Sequence, residues 1–210
     1  MYHIFSTKLA DLLQRANQDG VITIDSGVDG PTVAIVALTH GNEIAGIDAL
    51  HWLISEYSVE QKLQKGKLFL IINNIKAFQT PTGDDRICQR YIDRDMNRCW
   101  DEVGIGYEYL RREEIRPYID ASDHLFDIHS TTSPSIPMCI PTTNSTIMQD
   151  FLSCVIADKY LLNIAEKLSG KALSLYHGEK HQDGISYVVE CGSHFDPSAG
   201  TIARKNSTQL

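Results

Sequence analysis

Strand-length apolar runs alternating with helix-length amphipathic segments predict an α/β protein, with helices packed on both faces of a largely parallel sheet. Three observations carry that expectation. Compact, aliphatic or β-branched runs recur at residues 33–38, 67–72 and 185–190; leucine and isoleucine at helical spacing fall between them; and turn residues such as Gly27 and Gly30 separate the segments. Residues 7–18 carry leucines at helical spacing and predict a first helix, followed by a short strand at 21–24 and a second strand at 33–38. Residues 44–57 place Ile44, Ile47, Leu50, Leu53 and Ile54 on one helical stripe, and 67–72 is again strand-like, which gives a β, α, β order. Farther on, 107–121 predicts a helix, 124–129 a strand, 151–168 a helix and 185–190 a β-branched strand, with a last helix beginning after Ser198. No internal repeat or low-complexity tract interrupts this pattern.

A chain of 210 residues with scattered Pro, Gly and Ser suits one well-buried domain. Its 42% hydrophobic and 22% charged content is ordinary for a globular protein, and no run approaches a membrane span. The first residues show no basic-then-apolar leader, so a cytoplasmic protein is expected. The net charge of -8, without a basic stripe, argues against nucleic acid or an anionic membrane as partner, and an anionic substrate needs a local arginine cluster. A homo-oligomer stays open. Cys88, Cys99, Cys139, Cys154 and Cys191 form an odd set without Cys-x-x-Cys spacing, which predicts buried thiols rather than a disulfide framework or a zinc finger.

The chemistry-bearing residues fall at predicted strand ends, where working residues of such sheets gather. His40-Gly41-Asn42-Glu43 follows the 33–38 strand and puts an imidazole and a carboxylate three residues apart, on one face if a helix opens there, so both can reach one ion. A lone His-x-x-Glu is more often coincidence than chemistry, so a third ligand is required. His129 supplies it, at the end of Phe126-Asp127-Ile128-His129, where Asp127 shares a strand face with His129 and can orient its second ring nitrogen. Two histidines and a carboxylate suit zinc and several other transition ions. Glu190, after the apolar Tyr187-Val188-Val189, is the candidate proton acceptor, its pKa raised by partial burial. Residues 90–98 carry Arg90, Arg94 and Arg98 in an otherwise acidic chain, an anion-binding signature.

Taken together, His40-Gly41-Asn42-Glu43, Arg90-Tyr91-Ile92-Asp93, Asp95-Met96-Asn97-Arg98, Asp127-Ile128-His129 and Glu190-Cys191-Gly192, in order over about 150 residues, resemble the succinylglutamate desuccinylase/aspartoacylase family, relatives of the zinc carboxypeptidases. The resemblance implies an α/β/α sandwich with a mixed, largely parallel central sheet, and hydrolysis of the amide bond of a small anionic N-acyl amino acid. It implies one zinc ion on His40, Glu43 and His129, with Asp127 and Asp95 behind the ligands. Glu190 would act as general base and then acid, Arg90 would polarise the scissile carbonyl, and Asn97 and Arg98 would hold a substrate carboxylate.

Met96 stands where the family usually has leucine and Trp100 where phenylalanine is frequent, both apolar exchanges. Aspartoacylases carry a tyrosine and then an arginine upstream of the catalytic glutamate. The matching substrate-binding positions here are Tyr176 and Lys180, and lysine lacks the planar fork that would select aspartate. His177, His181 and His194 are expected at the surface of that region. Family members continue into a smaller β-rich capping domain, so residues 1–210 are expected to form the catalytic domain, without that cap. Two other readings compete: a metallocarboxypeptidase acting on short peptides, and a non-catalytic domain that binds an acyl amino acid at a retained metal site.

Overall fold

The computed structural model describes residues 2–83, 88–143, 145–152, 159–160 and 168–208. Its centre is a seven-stranded mixed sheet in the order β1-β3-β2-β4-β7-β5-β6. β2 (Thr32–Ala37) lies parallel between β3 (Lys67–Ile72) and β4 (His124–Thr131), and β7 (Ser186–Ser193) runs parallel beside β4. β2 and β3 are nearly continuous apolar runs because both of their faces are covered, as parallel sheets require. β1 (Val21–Asp25) pairs antiparallel with β3 at one edge and alternates buried with exposed residues. At the other edge β5 (Met138–Pro141) runs antiparallel to β7 and carries the short β6 (Lys159–Tyr160).

Strand alternation divides the core into two layers. Ile35, Ala37, Leu70, Ile72, Phe126, Ile128, Tyr187 and Val189 face one cluster. That cluster is completed by α1 (Tyr2–Arg15), α2 (Ala45–Ser55) and α8 (Ser198–Asn206), through Leu12, Ile47, Leu50 and Ala203. Ala34, Val36, Phe69, Ile71 and Leu125 face the other, packed under Ile115 and Ile119 of α5 (Tyr107–Asp120), Leu173 of α7 (Leu173–Lys180), and Trp100. The result is the expected α/β/α sandwich. Leu50 is completely buried, and Leu50→Ala would cost roughly 2–5 kcal/mol through lost transfer energy and a cavity. Gly46 lets α2 lie directly on β2, since a Cβ there would come within 2.7 Å of the Ala37 Cβ.

The predicted strands and helices are present, most with shifted ends, apart from the helix expected at 151–168. Shorter elements were not anticipated: α3 (Val59–Lys62), α4 (Ile75–Gln79), α7, β5 and β6. The expected helix at 151–168 needs correction. α6 (Thr146–Leu152) covers only its start, and Lys159–Tyr160 is a strand paired with Met138 and Cys139; residues 153–158 and 161–167 lie outside the described residues. Short apolar runs look alike in helix and strand, and pairing with β5 decided the matter. Cys88, Cys99, Cys139 and Cys191 are buried thiols, as expected, whereas Cys154 lies outside the described residues.

Candidate active site

The turn that carries His40 and Glu43 leaves the sheet through a strained residue. Leu38, completely buried, has φ 59, a left-handed conformation that costs a non-glycine residue roughly 1–2 kcal/mol. Hydrogen bonds hold it: Asn73 N donates to Ala37 O at 2.8 Å and Asn74 N to Leu38 O at 2.7 Å. Gly41 follows in a place with no room for a side chain, because a Cβ would lie 2.4 Å from Phe78 N and 2.6 Å from Gln89 O. Its N–H donates to Arg90 O at 3.0 Å, which draws the arginine-bearing segment against the His40 turn.

Three ligand-type side chains meet there. His40 Nδ1 is 2.8 Å from Glu43 Oε1, and His129 Nδ1 is 2.8 Å from Glu43 Oε2. The donor atoms of His40, Glu43 and His129 lie within 4.8 Å of one another, and each residue is only 2% exposed. Each far ring nitrogen meets a carboxylate: His129 Nε2 is 2.8 Å from Asp127 Oδ2, and His40 Nε2 is 2.9 Å from Asp95 Oδ1. Asp127 is itself held by the Thr39 hydroxyl at 2.7 Å. Such outer carboxylates fix ring orientation and raise ligand basicity.

The electrostatics favour positive charge. Burial pulls both imidazoles downward, yet Asp127 and Glu43 carry His129 well above the ordinary imidazole range, and Glu43 and Asp95 raise His40. Burial likewise opposes ionisation of Glu43, but His40 and His129 hold it well below the usual carboxylate range. A divalent ion satisfies the same field by taking the place of the imidazole protons. Glu190 stands beside His129 in strand register, β4 to β7. Burial raises its carboxyl, with Glu43 adding to the effect against the pull of His129 and His40, and Oε2 is buried without a hydrogen-bond partner among the described residues. Two imidazoles, a shared carboxylate and an unpartnered carboxylate oxygen on one face fit a zinc-type ion with a nearby proton acceptor.

The arginine segment divides its labour. Arg90 Nη1 donates to Glu43 Oε1 at 2.9 Å, and Nη2 lies 2.9 Å from His40 Nε2. Arg94 is committed to Glu102, at 3.1 and 2.6 Å. Arg98 donates to Asn97 O at 2.6 Å, and among the described residues no carboxylate pairs with it. The Asn97 side-chain oxygen accepts from Leu173 N at 2.9 Å, which leaves its amide nitrogen as the donor for a ligand. Beneath the loop, buried Glu108 accepts from the backbone N–H groups of Ile92, Asp93 and Arg94 at 2.6, 2.9 and 3.2 Å. Sequence reasoning missed Glu108; the only signal was an acidic residue in the first turn of a predicted helix.

The two other expected substrate contacts, Tyr176 and Lys180, are engaged elsewhere. Tyr176 packs on Trp100, with ring centroids 5.0 Å apart, and its hydroxyl donates to Asp120 Oδ1 at 2.8 Å. Lys180 pairs with Asp120 at 2.8 Å and shares a cleft with Pro31, Asp123 and His124, at the amino ends of β2 and β4. α7 ends just before β7 starts, so Lys180 is carried to the opposite end of the sheet from His40. The three histidines expected at the surface also separate: His177 is completely buried beside Ser122 O at that far end, whereas His194 is buried next to the metal-type cluster.

Residues 29–182 match the succinylglutamate desuccinylase/aspartoacylase catalytic domain. The chain belongs to this family. Aspartoacylase of Rattus norvegicus is 34% identical over an alignment 116 residues long that covers 48% of this chain and 34% of that protein. The N-acyl-aromatic-L-amino acid amidohydrolase (carboxylate-forming) A of Danio rerio is 30% identical over an alignment 115 residues long that covers 48% of this chain and 33% of that protein. The matched part thus spans only about a third of the length of these relatives. Among solved structures, the succinylglutamate desuccinylase of Chromobacterium violaceum superposes with a TM-score of 0.67 at 15% identity, over 98% of this chain and 72% of that one. A metallo-carboxypeptidase of Burkholderia cenocepacia gives 0.64 at 14% identity, over 99% and 66%. These likenesses show that the family's sandwich is a carboxypeptidase-type fold. Among the described residues no helix is long and apolar enough to cross a membrane.

Proposed function

We propose that residues 1–210 form the catalytic domain of a zinc-dependent hydrolase that cleaves the amide bond of small N-acyl amino acids. The observation that carries this reading is the convergence of His40, Glu43 and His129 with Arg90 and with Glu190 Oε2, unpartnered among the described residues, at the carboxyl ends of β2, β4 and β7. Zinc held by His40 Nδ1, Glu43 and His129 Nδ1 would supply Lewis acidity and lower the pKa of a water to about 7. Glu190, raised by burial, accepts the proton of the attacking water and later delivers it to the departing amine. Arg90 offers its guanidinium to the oxygen on which charge develops. Asn97, through its amide nitrogen, and Arg98, through a guanidinium that meets no carboxylate among the described residues, hold the substrate carboxylate. Relatives named for aspartate and for aromatic amino acids support an acyl amino acid over a peptide, and Lys180, at the other end of the sheet, takes no part in choosing between them.

The test is amine release from a panel of N-acetyl and N-succinyl amino acids by zinc-loaded protein, with short peptides alongside. Glu190→Gln is expected to keep its zinc and lose turnover by roughly 10²- to 10⁴-fold, the usual range for a positioned proton-transfer group. Undiminished turnover in that variant would sink the role given to Glu190. Preferential cleavage of the peptides would replace the deacylase reading with a carboxypeptidase one, and ligand binding at full zinc occupancy without any cleavage would replace it with a binding domain.

A further inference from the structure

The three ligands of the metal-type cluster come from two segments far apart in the chain, Glu43 and His129 being separated by 86 positions. His194, just past the end of β7 and 8% exposed, touches both. Its backbone N–H donates to Thr131 O at 2.9 Å. Its ring Nδ1 lies 2.7 Å from Ser130 Oγ, in the residue next to His129, and the Ser130 backbone N–H donates to Glu43 Oε2 at 3.0 Å. On its other side Nε2 lies 3.3 Å from Thr132 Oγ1 and 3.5 Å from the side-chain amide of Asn42, the residue before Glu43.

We propose that His194 is a positioning residue that holds the His40–Glu43 turn in register with the strand end bearing His129, and thereby sets the affinity of the site for its ion. This rests on the metal-site reading above. The chemistry of the ring supports it. With Nδ1 accepting the Ser130 hydroxyl proton, a neutral imidazole carries its own proton on Nε2 and becomes a donor. Thr132 Oγ1 is one acceptor. The Asn42 amide, turned about its terminal bond, presents the second: Asn42 Oδ1 is buried and has no other partner among the described residues. Burial keeps His194 below the ordinary imidazole range, with Glu43 opposing, which agrees with a single ring proton. One side chain then meets polar groups on both ligand-bearing segments, and this ordering of its protons also gives the buried Asn42 Oδ1 a donor.

The experiment measures zinc affinity by competition with a chromophoric chelator, and the visible absorption of the cobalt(II)-loaded protein as a report on ligand geometry. His194→Ala is expected to weaken zinc roughly 10- to 100-fold, the range seen when an outer partner of a ligand is lost, and to alter the cobalt spectrum. Ser130→Ala should reproduce part of the loss, and the double variant should be no weaker than His194→Ala, because both remove one linkage. His194→Asn, whose amide can replace the Nδ1 contact to Ser130, should recover much of the affinity and keeps the test open if the alanine variant does not fold. Unchanged affinity and spectrum in His194→Ala, or losses that simply add in the double variant, overturn the positioning role. An unsubstituted protein that binds neither ion overturns the metal-site reading instead, so the two failures are distinguishable.

Discussion

Two histidine-rich regions lie at opposite ends of the same sheet, and they behave in opposite ways. At the carboxyl ends of β2 and β4, His40 and His129 share one carboxylate, Glu43, and each has a second carboxylate behind it. At the amino ends, His177 and His181 stack with centroids 4.5 Å apart, His177 Nε2 meets the main-chain oxygen of Ser122, and His124 accepts from Ile185 N. Burial penalises the charged form in both places. It prevails at the far end, where His177 falls to about 4 and His124 is also lowered, and it is overcome in the cluster, where His40 and His129 are raised. Carboxylates aimed at buried rings, rather than the number of histidines, make a cation site.

The largest effect that can break this comparison is loss of a ligand. His129→Ala removes one of three donors and should weaken zinc by well over the roughly 100-fold upper range for an outer partner, with turnover lost alongside. His181→Ala at the other end should leave zinc affinity unchanged, and an equal loss in chelator competition would erase the distinction between the ends. Acid comes next. A buried histidine whose folded pKa is depressed is protonated more readily in the unfolded chain, so its contribution to stability is complete above about 6.5 and declines as pH falls toward 4. At about 1.4 kcal/mol per pKa unit, His177 accounts for a decline on the order of 3 kcal/mol, measurable by urea unfolding between pH 7.5 and 4. His177→Gln keeps a donor for Ser122 O and should flatten that slope. A slope as steep as the parent's would assign the acid sensitivity elsewhere.

A smaller change sharpens the cluster itself. Asp127→Asn retains shape but removes the charge behind His129, and zinc should weaken roughly 10- to 100-fold while the fold stays intact by circular dichroism. The smallest effect separates sequence expectation from structure. Lys180→Ala breaks a surface ion pair with Asp120, worth about 0.2–1 kcal/mol, and should leave KM for every acyl amino acid unchanged. A rise in KM confined to substrates with a second carboxylate would return Lys180 to the site.

Much of the site was legible because its residues sit in motifs whose spacing is local. His40 and Glu43 share a turn, Asp127 and His129 share a strand face, and strand ends face one edge of a parallel sheet. What was illegible depends on approach between distant segments. Glu108 has no motif, yet its carboxylate gathers three backbone N–H groups of the arginine loop. Tyr176 and Lys180 lie ten to fourteen positions before Glu190, a spacing that suggests proximity, but α7, which carries both, runs back along the sheet and brings Lys180 to its other end. The expected helix at 151–168 gave way at Lys159–Tyr160 to pairing with β5, which no local pattern announces.

The sequence by itself determined the alternation of strands and helices, the family and the metal-ligand residue types, because periodicity and short motifs are properties of neighbouring residues. Only the tertiary structure decided that His40 and His129 share one carboxylate, that Arg94 is committed to Glu102, that His177 is buried at the far end of the sheet, and which polar groups are left unpartnered among the described residues. Those outcomes turn on which buried charges face one another across the sheet, and burial sets their strength only once the chain has closed around them.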